Sequence, residues 1–425
     1  MRRSSWVLRC VNVKILVCLP FILASAYSGS VLGDEGQGKP RAGAVAGDEL
    51  SKAEQRLHAT LQTSSSIDIQ DVKLTDAIQS LATLNDLQIV IDHEELVKQG
   101  IDPDALINYK VDSIKLGHVL TLLLEPLELG WMVRDGVITI TTAQIAVGPN
   151  VKTVYHQYAK FEDVIKTKDT KAAKTAFQKA IYATIAPKSW RDAGGEGTID
   201  WTENGLVMTN RAAVQKKFEQ LTWYLTQGHK LIRSREKSFP LTNNDAPRVL
   251  NALAEQTNPG NVGMVDIPLT DVMVFFSRLH DINILVDRIA LHDVGIRADP
   301  PVTLQPEGAS LQQALDQALK PLKLDYIARH EVLFITTPEK VNALPETHIY
   351  DVQKLLGPNV EPSVITEEIT TKVLPKTWSP NGGHGTMAYV PGYFIVYQTP
   401  RAHRKILERF KTLRQRLDGN AVEKP

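Results

Sequence analysis

The sequence predicts an α+β fold built by duplicating, in tandem, a pair of small modules. Three observations carry this. The stretch from Asp71, "DVKLTDAIQSLATLNDLQIVID", aligns without a gap on "DIPLTDVMVFFSRLHDINILVD" from Asp266, and the match continues to Thr142 and Thr337. About 23 of the 72 paired positions are identical, and most apolar positions stay apolar, which marks an internal repeat. "PKSWRDAGGEG" from Pro187 then returns as "PKTWSPNGGHG" from Pro375. Each of these loops sits inside a strand-helix-strand-strand-helix pattern.

The elements of the first module follow in order. "IDIQDVKL" alternates as a strand. Thr75 and Asp76 open an amphipathic helix with Ile78, Leu81 and Leu84 at helical spacing. "LQIVID" and "ALINYKVDSI" are strands, and Leu116, Val119, Leu120, Leu123 and Leu124 form a helix face that Pro126 ends. "WMVRDGVITITT" is a hairpin turning on Asp135-Gly136; its copy "YIARHEVLFITT" lacks the glycine. In the second module, "THIYDV" is a strand and "SVITEEITTKV" a helix. "GTIDWTENGLVMTN" and "GTMAYVPGYFIVYQT" are hairpins turning on Asn204-Gly205 and Pro391-Gly392. "AAVQKKFEQLTWYLTQ" and "PRAHRKILERFKTLRQRL" are closing helices, with Pro400 at a helix start. Copy one carries about seven extra residues, placed in the charged "KFEDVIKTKDTKAAKTAFQK", which reads as a longer surface helix.

Six segments result. Residues 1–33 are a signal peptide. Residues 50–145 and 150–228 are the first pair of modules, 229–241 a polar linker, and 242–340 and 345–418 the second pair. The N-terminus has a basic "MRRSSWVLRCVNVK", an apolar "ILVCLPFILASA" too short to span a bilayer comfortably, and small residues ending at Gly33. Cleavage is expected after Gly33, with Ala26 as the alternative site and an uncleaved membrane anchor as the alternative reading. Both cysteines, Cys10 and Cys18, lie in this segment. A chain without it has no disulfide framework and no thiolate chemistry. It also loses four basic residues, so Lys and Arg fall from 48 to 44 against 48 acidic residues. That balance argues against a nucleic-acid partner.

The Leu-Thr-Asp helix start, "QIVID", the Leu-rich helix and "GVITIT" resemble the short N-terminal (STN) domain of secretins and TonB-dependent receptors. The stretch "NGLVMTNRAAVQKKFEQLTWYL" resembles the KH-like βαββα domain that follows it in secretins. Asn204, Leu206, Val207 and Met208 match its strand, as do Phe394, Ile395 and Val396 in the second copy. The whole chain is similar to planctomycete-type envelope proteins built from such modules. The resemblance implies periplasmic interaction domains, located in the periplasm or cell envelope. The chain ends shortly after the last helix, so no pore-forming domain is expected.

Chemistry is sparse. The candidate ligand loops are Trp190 with Gly194, Gly195 and Gly197, and Trp378 with Gly382, Gly383 and Gly385. Glycine amides could form an anion nest and a Trp could stack on a sugar. The simpler reading is structural, because the polar neighbours Arg191, Asp192 and Glu196 become Ser379, Pro380 and His384. Histidines do not cluster along the sequence. His93 with Asp92, Glu94 and Glu95 reads as an acid-rich helix start, since copy two has Asp287, Arg288 and Ile289 there. No cofactor, metal site or catalytic motif is expected. The expected function is a non-enzymatic protein-interaction or scaffold component, its partner an envelope protein or another copy of itself. Membrane contact is expected only through the signal segment if it is retained. The alternative is a carbohydrate-binding or hydrolytic protein with a site between modules.

Overall fold

The computed structural model describes residues 14–16, 52–155, 170–202, 205–228, 238–241, 246–257, 263–297, 299–306, 308–353, 355–356 and 360–422. Most of the expected signal segment, residues 156–169 of the charged stretch, Asn204 of one turn, and 229–237 of the joint lie outside them. Among the described residues the fold is α+β, with several small sheets and no barrel. It divides into two compact units, Met1–Gly148 and Pro149–Pro425. Among the described residues no helix is long and apolar enough to cross a membrane.

Unit one opens with β1 (Lys14–Leu16), α1 (Lys52–Leu61), β2 (Ser64–Lys73) and α2 (Leu74–Leu84). Leu74, Ala77, Ile78 and Leu81 make the buried stripe of α2, and Asp86 ends the turn beyond it in the left-handed region at φ 51°. Next come β3 (Ile89–Ile91), α3 (His93–Lys98), β4 (Leu106–Lys115), α4 (Leu116–Leu124), β5 (Leu129–Arg134), β6 (Val137–Thr142) and α5 (Ala143–Ala146). β2 pairs antiparallel with β4 and with β1. The second sheet has the order β3-β6-β5, with β3 parallel to β6. Asp135 and Gly136 both have positive φ, 52° and 76°, the primed turn that matches strand twist.

Unit two contains a strand pattern that repeats this one. Its elements begin with β7 (Asn150–Tyr155), α6 (Thr170–Thr184), β8 (Thr198–Thr202), β9 (Gly205–Arg211), α7 (Ala212–Trp223), β10 (Phe239–Pro240) and α8 (Pro247–Ala252). Then follow β11 (Met264–Pro268), α9 (Leu269–His280), β12 (Asn283–Val286), α10 (Arg288–Asp293), β13 (Pro301–Leu304), α11 (Leu311–Leu319), β14 (Asp325–Arg329), β15 (Val332–Thr336) and α12 (Pro338–Asn342). β11 pairs with β13, and the sheet β12-β15-β14 again has one parallel pair. Non-glycine residues with positive φ recur at matching positions: Asp71 and Asp266, Asp86 and Asp281, Glu128 and Lys323. The hairpin turn keeps its geometry without glycine, at His330 (φ 52°) and Glu331 (φ 62°).

The last elements are β16 (Glu346–Asp351), α13 (Pro362–Lys372), β17 (Thr386–Val390), β18 (Tyr393–Gln398) and α14 (Pro400–Val422). The two βαββα sheets have matching orders, β7-β9-β8 and β16-β18-β17, and β10 adds a fourth strand beside β16. So the end of the expected linker 229–241 is an edge strand, because Phe239 stacks on Tyr224 and the Leu241 amide donates to Thr347 O. The sheet β10-β16-β18-β17 is covered on both faces. Tyr350, Phe394 and Val396 pack with α13 and α14 through Ile365, Ile369, Ile406 and Phe410. On the other face Ile349, Val390, Tyr393 and Ile395 join the core of α6 and α7 with Phe177, Ile181, Phe218 and Tyr224. α6 is therefore not the surface helix its charges imply: Ala173, Phe177, Ala180 and Ile181 are buried.

The two copies diverge where this stacking stops. Ala180 and Leu221 are buried in the shared core. Their counterparts are Glu368 and Arg409, which form an ion pair with each other. One helix layer is apolar because a second sheet covers it; the other ends the stack with charge.

Candidate functional site

The two Trp-Gly loops close on themselves. Each has two short 3-10 turns, Pro187–Ser189 with Arg191–Ala193 and Pro375–Thr377 with Ser379–Asn381. Trp190 and Trp378 are 0% and 1% exposed, and their Nε1–H groups donate to Ile185 O and Val373 O at 2.7 Å. Neither ring offers a face to a sugar. The Gly194, Gly195 and Gly197 amides donate to Arg191 O, Trp190 O and Ser189 O, and Gly382, Gly383 and Gly385 repeat this onto Ser379 O, Trp378 O and Thr377 O. No amide at these glycines is left for an anion. A Cβ on Gly195 or Gly383 would lie 2.3 or 2.1 Å from backbone atoms of Ser189 or Thr377. One on Gly197 or Gly385 would strike the buried amide groups of Asn210 or Gln398. These two carboxamides, which sequence reasoning passed over, bond to Ser189 Oγ and Thr377 Oγ1 and hold each loop to its sheet.

The acid-rich start of α3 is a helix cap. Asp92 accepts from the Glu95 amide, and Lys98 pairs with Glu94 at 3.0 Å. Asp287 caps α10 in the same way through the Ala290 amide. Among the described residues, no group of three or more His, Cys, Asp or Glu side chains is placed to hold a metal ion.

Histidines do not cluster along the sequence, but two that lie 55 residues apart meet in the fold. His348 on β16 and His403 on α14 stack with ring centroids 3.7 Å apart at 10°. His348 Nδ1 faces Ser238 Oγ at 3.0 Å, next to β10, and its Nε2 faces Glu346 Oε2 at 3.0 Å. His403 Nε2 lies 3.0 Å from Glu346 O, and its Nδ1 lies 2.7 Å from Tyr350 OH. A carbonyl can only accept, so His403 carries its hydrogen on Nε2 and accepts from Tyr350 at Nδ1. Burial holds both rings neutral, pushing His348 down to about 3 and His403 well below the usual range. Burial also raises the Glu346 carboxyl and the Tyr350 phenol. The order Ser238–His348–Glu346 is that of nucleophile, base and orienting acid. Here, though, a second imidazole covers the base. The closed arrangement disfavours an added proton on either ring. The signal in sequence was thin: one histidine in "THIYDV" and one in "PRAHRK".

The outer edges of the two βαββα sheets differ. On β8, the Ile199 amide donates to Tyr182 OH, and Ile199 O accepts from Gln178 Nε2, so α6 plugs that edge. On β17 the counterpart is Met387, and the helix positions are Thr366 and Thr370. Their hydroxyls turn back onto Pro362 O and Thr366 O of their own helix. Among the described residues, the outward Met387 N–H and C=O have no partner. Tyr389, two residues along, is 40% exposed.

No family model matches the chain, and no curated protein matches it. Among solved structures, a chain of the enterotoxigenic Escherichia coli GspC-GspD complex from the type II secretion system is similar at 10% identity, over 39% of this chain and 99% of that one, with a TM-score of 0.14. A likeness at that level carries no assignment.

Proposed function

We propose that the chain is a non-enzymatic, exported envelope protein that acts as a protein-interaction or scaffold component. The observation that supports this reading is the open edge of β17. A sheet edge with unpaired backbone groups is a template for an added strand, and proteins that do not use such an edge cover it. The first copy covers its edge with Gln178 and Tyr182; the second has lost both side chains. The partner is an extended segment of another envelope protein, held by main-chain hydrogen bonds beside Met387, with Tyr389 against its side chains.

The test is a pull-down from envelope extract with the chain from residue 34, comparing wild type with Met387→Pro. Proline at an edge position removes an outward N–H and leaves the ladder intact. The expected result is a specific envelope protein retained by wild type and lost by the variant, with a cooperative melt kept although the Met387 contact with the core is lost. Equal retention by both, or retention of glycan without protein, overturns the reading.

A further inference from the structure

We propose that the His348–His403 pair is an acid-operated latch, which holds strand β10 on the second βαββα sheet while neutral and releases it on taking up a proton. The pair sits where three segments meet. His348 belongs to β16, His403 to α14, and Ser238, bonded to His348 Nδ1, leads into β10. β10 is only two residues long and pairs with β16 through Phe239–Ile349 and Pro240–His348, so His348 is part of the register that holds it. The stacked rings have no room for water between them at 3.7 Å. A positive charge on either ring faces a second imidazole across the stack. On His403 it also displaces the hydrogen that Tyr350 donates.

The first copy shows that the fold needs no histidine here. In its register Thr153 occupies the place of His348, and Gln215 that of His403. Thr153 bonds to Gln215, and Gln215 donates to Val151 O, just as His403 donates to the corresponding Glu346 O. The helix-to-strand bridge is present in both copies. Only the second makes it from imidazoles, which titrate near neutrality once exposed to water.

The charged groups around the pair set its sign. From β16 come Glu346 and Tyr350; from α14, Arg404, paired with Asp325 of β14; from α7, Lys217; from the end of β14, Arg329. Three cations and two carboxylates give no excess of negative charge to welcome an imidazolium. In the closed form both rings are held below the ordinary imidazole range of ~6.5. The opened form therefore binds more protons once the pH drops below that value, and the closed form weakens as pH falls. Glu346 acts in the opposite direction. Its closed-form pKa is raised, so its protonation favours the closed form as pH falls towards ~4.5, and it damps the response at the acid end. Between pH 7.5 and 5.5, exposing one ring multiplies the opening equilibrium by about ten, and exposing both by about a hundred before the Glu346 offset.

The experiment is native-state hydrogen exchange at the Leu241 amide, which donates to Thr347 O, at pH 7.5 and 5.5 and corrected for intrinsic rates. The expected result is a loss of protection of about tenfold or more at Leu241, with Leu333 in the histidine-free strand β15 unchanged. Unchanged protection at Leu241 overturns the proposal, and so does an equal loss at Leu333. The double variant His348→Thr/His403→Gln transplants the first copy's pair and is expected to abolish the pH dependence; a variant that keeps it also overturns the proposal. If that variant does not fold, His403→Gln alone, which retains a donor for Glu346 O, is expected to lower the response below the wild type's, and an undiminished response overturns the proposal. The wild-type comparison decides the question independently.

Discussion

At the scale of single residues, the Trp-Gly loops separate two jobs of glycine. Gly382 has φ 85° and open space where a Cβ would go. Its replacement by alanine meets only the left-handed penalty, about 1 kcal/mol. Gly383 has no such φ, but its Cβ would collide with the Thr377 carbonyl at 2.1 Å, so the backbone must shift. Gly383→Ala is expected to cost about 3 kcal/mol. Urea unfolding with unchanged slope should show the two midpoints well apart; equal midpoints would mean that the loop yields easily. The repeated glycines and tryptophans were legible in the sequence because identical residues reappear in identical order. The carboxamides that lock the loops were not. Asn210 and Gln398 differ in type and lie thirteen residues beyond the last loop glycine. Only folding brings them under it.

At the scale of elements, hydrophobic period recovered the main strands and helices of each module but not the short or flanking ones such as α1, α8 and β10, because a period needs a run that buries one face. α2, α4 and the β5–β6 hairpin lie where regular spacing cannot mislead: Ile78 and Leu81, Leu120 and Leu124, and Asp135-Gly136 mark them. The period fails where both faces are buried. β18, "YFIVYQ", is apolar almost throughout, and nothing in that run tells which neighbour covers the second face. α6 misled for a different reason: its lysines describe one side and draw attention from Phe177 and Ile181 on the other. The copies themselves supply a test. Ala180→Glu imports the residue of the second copy into the covered layer. It buries an unpaired charge and should destabilise unit two by about 3 kcal/mol or more. Glu368→Ala, at the end of the stack where the side chain is 27% exposed, should cost less, about 1 kcal/mol. Thermal melts of the two variants decide it; similar losses would mean that the layers are not distinguished by what covers them.

At the scale of the whole molecule, the sequence repeat and the compact units divide the chain at different places. The repeat invites a cut at the 229–241 joint, leaving a second half from about residue 242. The compact unit runs from Pro149 to Pro425, because α6 and α7 cover a sheet that belongs to the other copy. Cutting at the joint would uncover Ile349, Val390, Tyr393 and Ile395, which are at most 5% exposed. Each such side chain is worth about 1.5–3 kcal/mol when buried, so four amount to roughly 6–12 kcal/mol, an upper bound. That is comparable with the whole stability of an ordinary domain, about 5–15 kcal/mol. A fragment of residues 149–425 is therefore expected to melt cooperatively and bind little hydrophobic dye. A fragment of residues 242–425 is expected to bind dye strongly and to melt broadly, or to precipitate. Calorimetry with dye fluorescence on the two fragments separates the cases. If the shorter fragment melts as sharply as the longer one, the stacking of the two βαββα layers contributes little, and the halves of the repeat are independent after all.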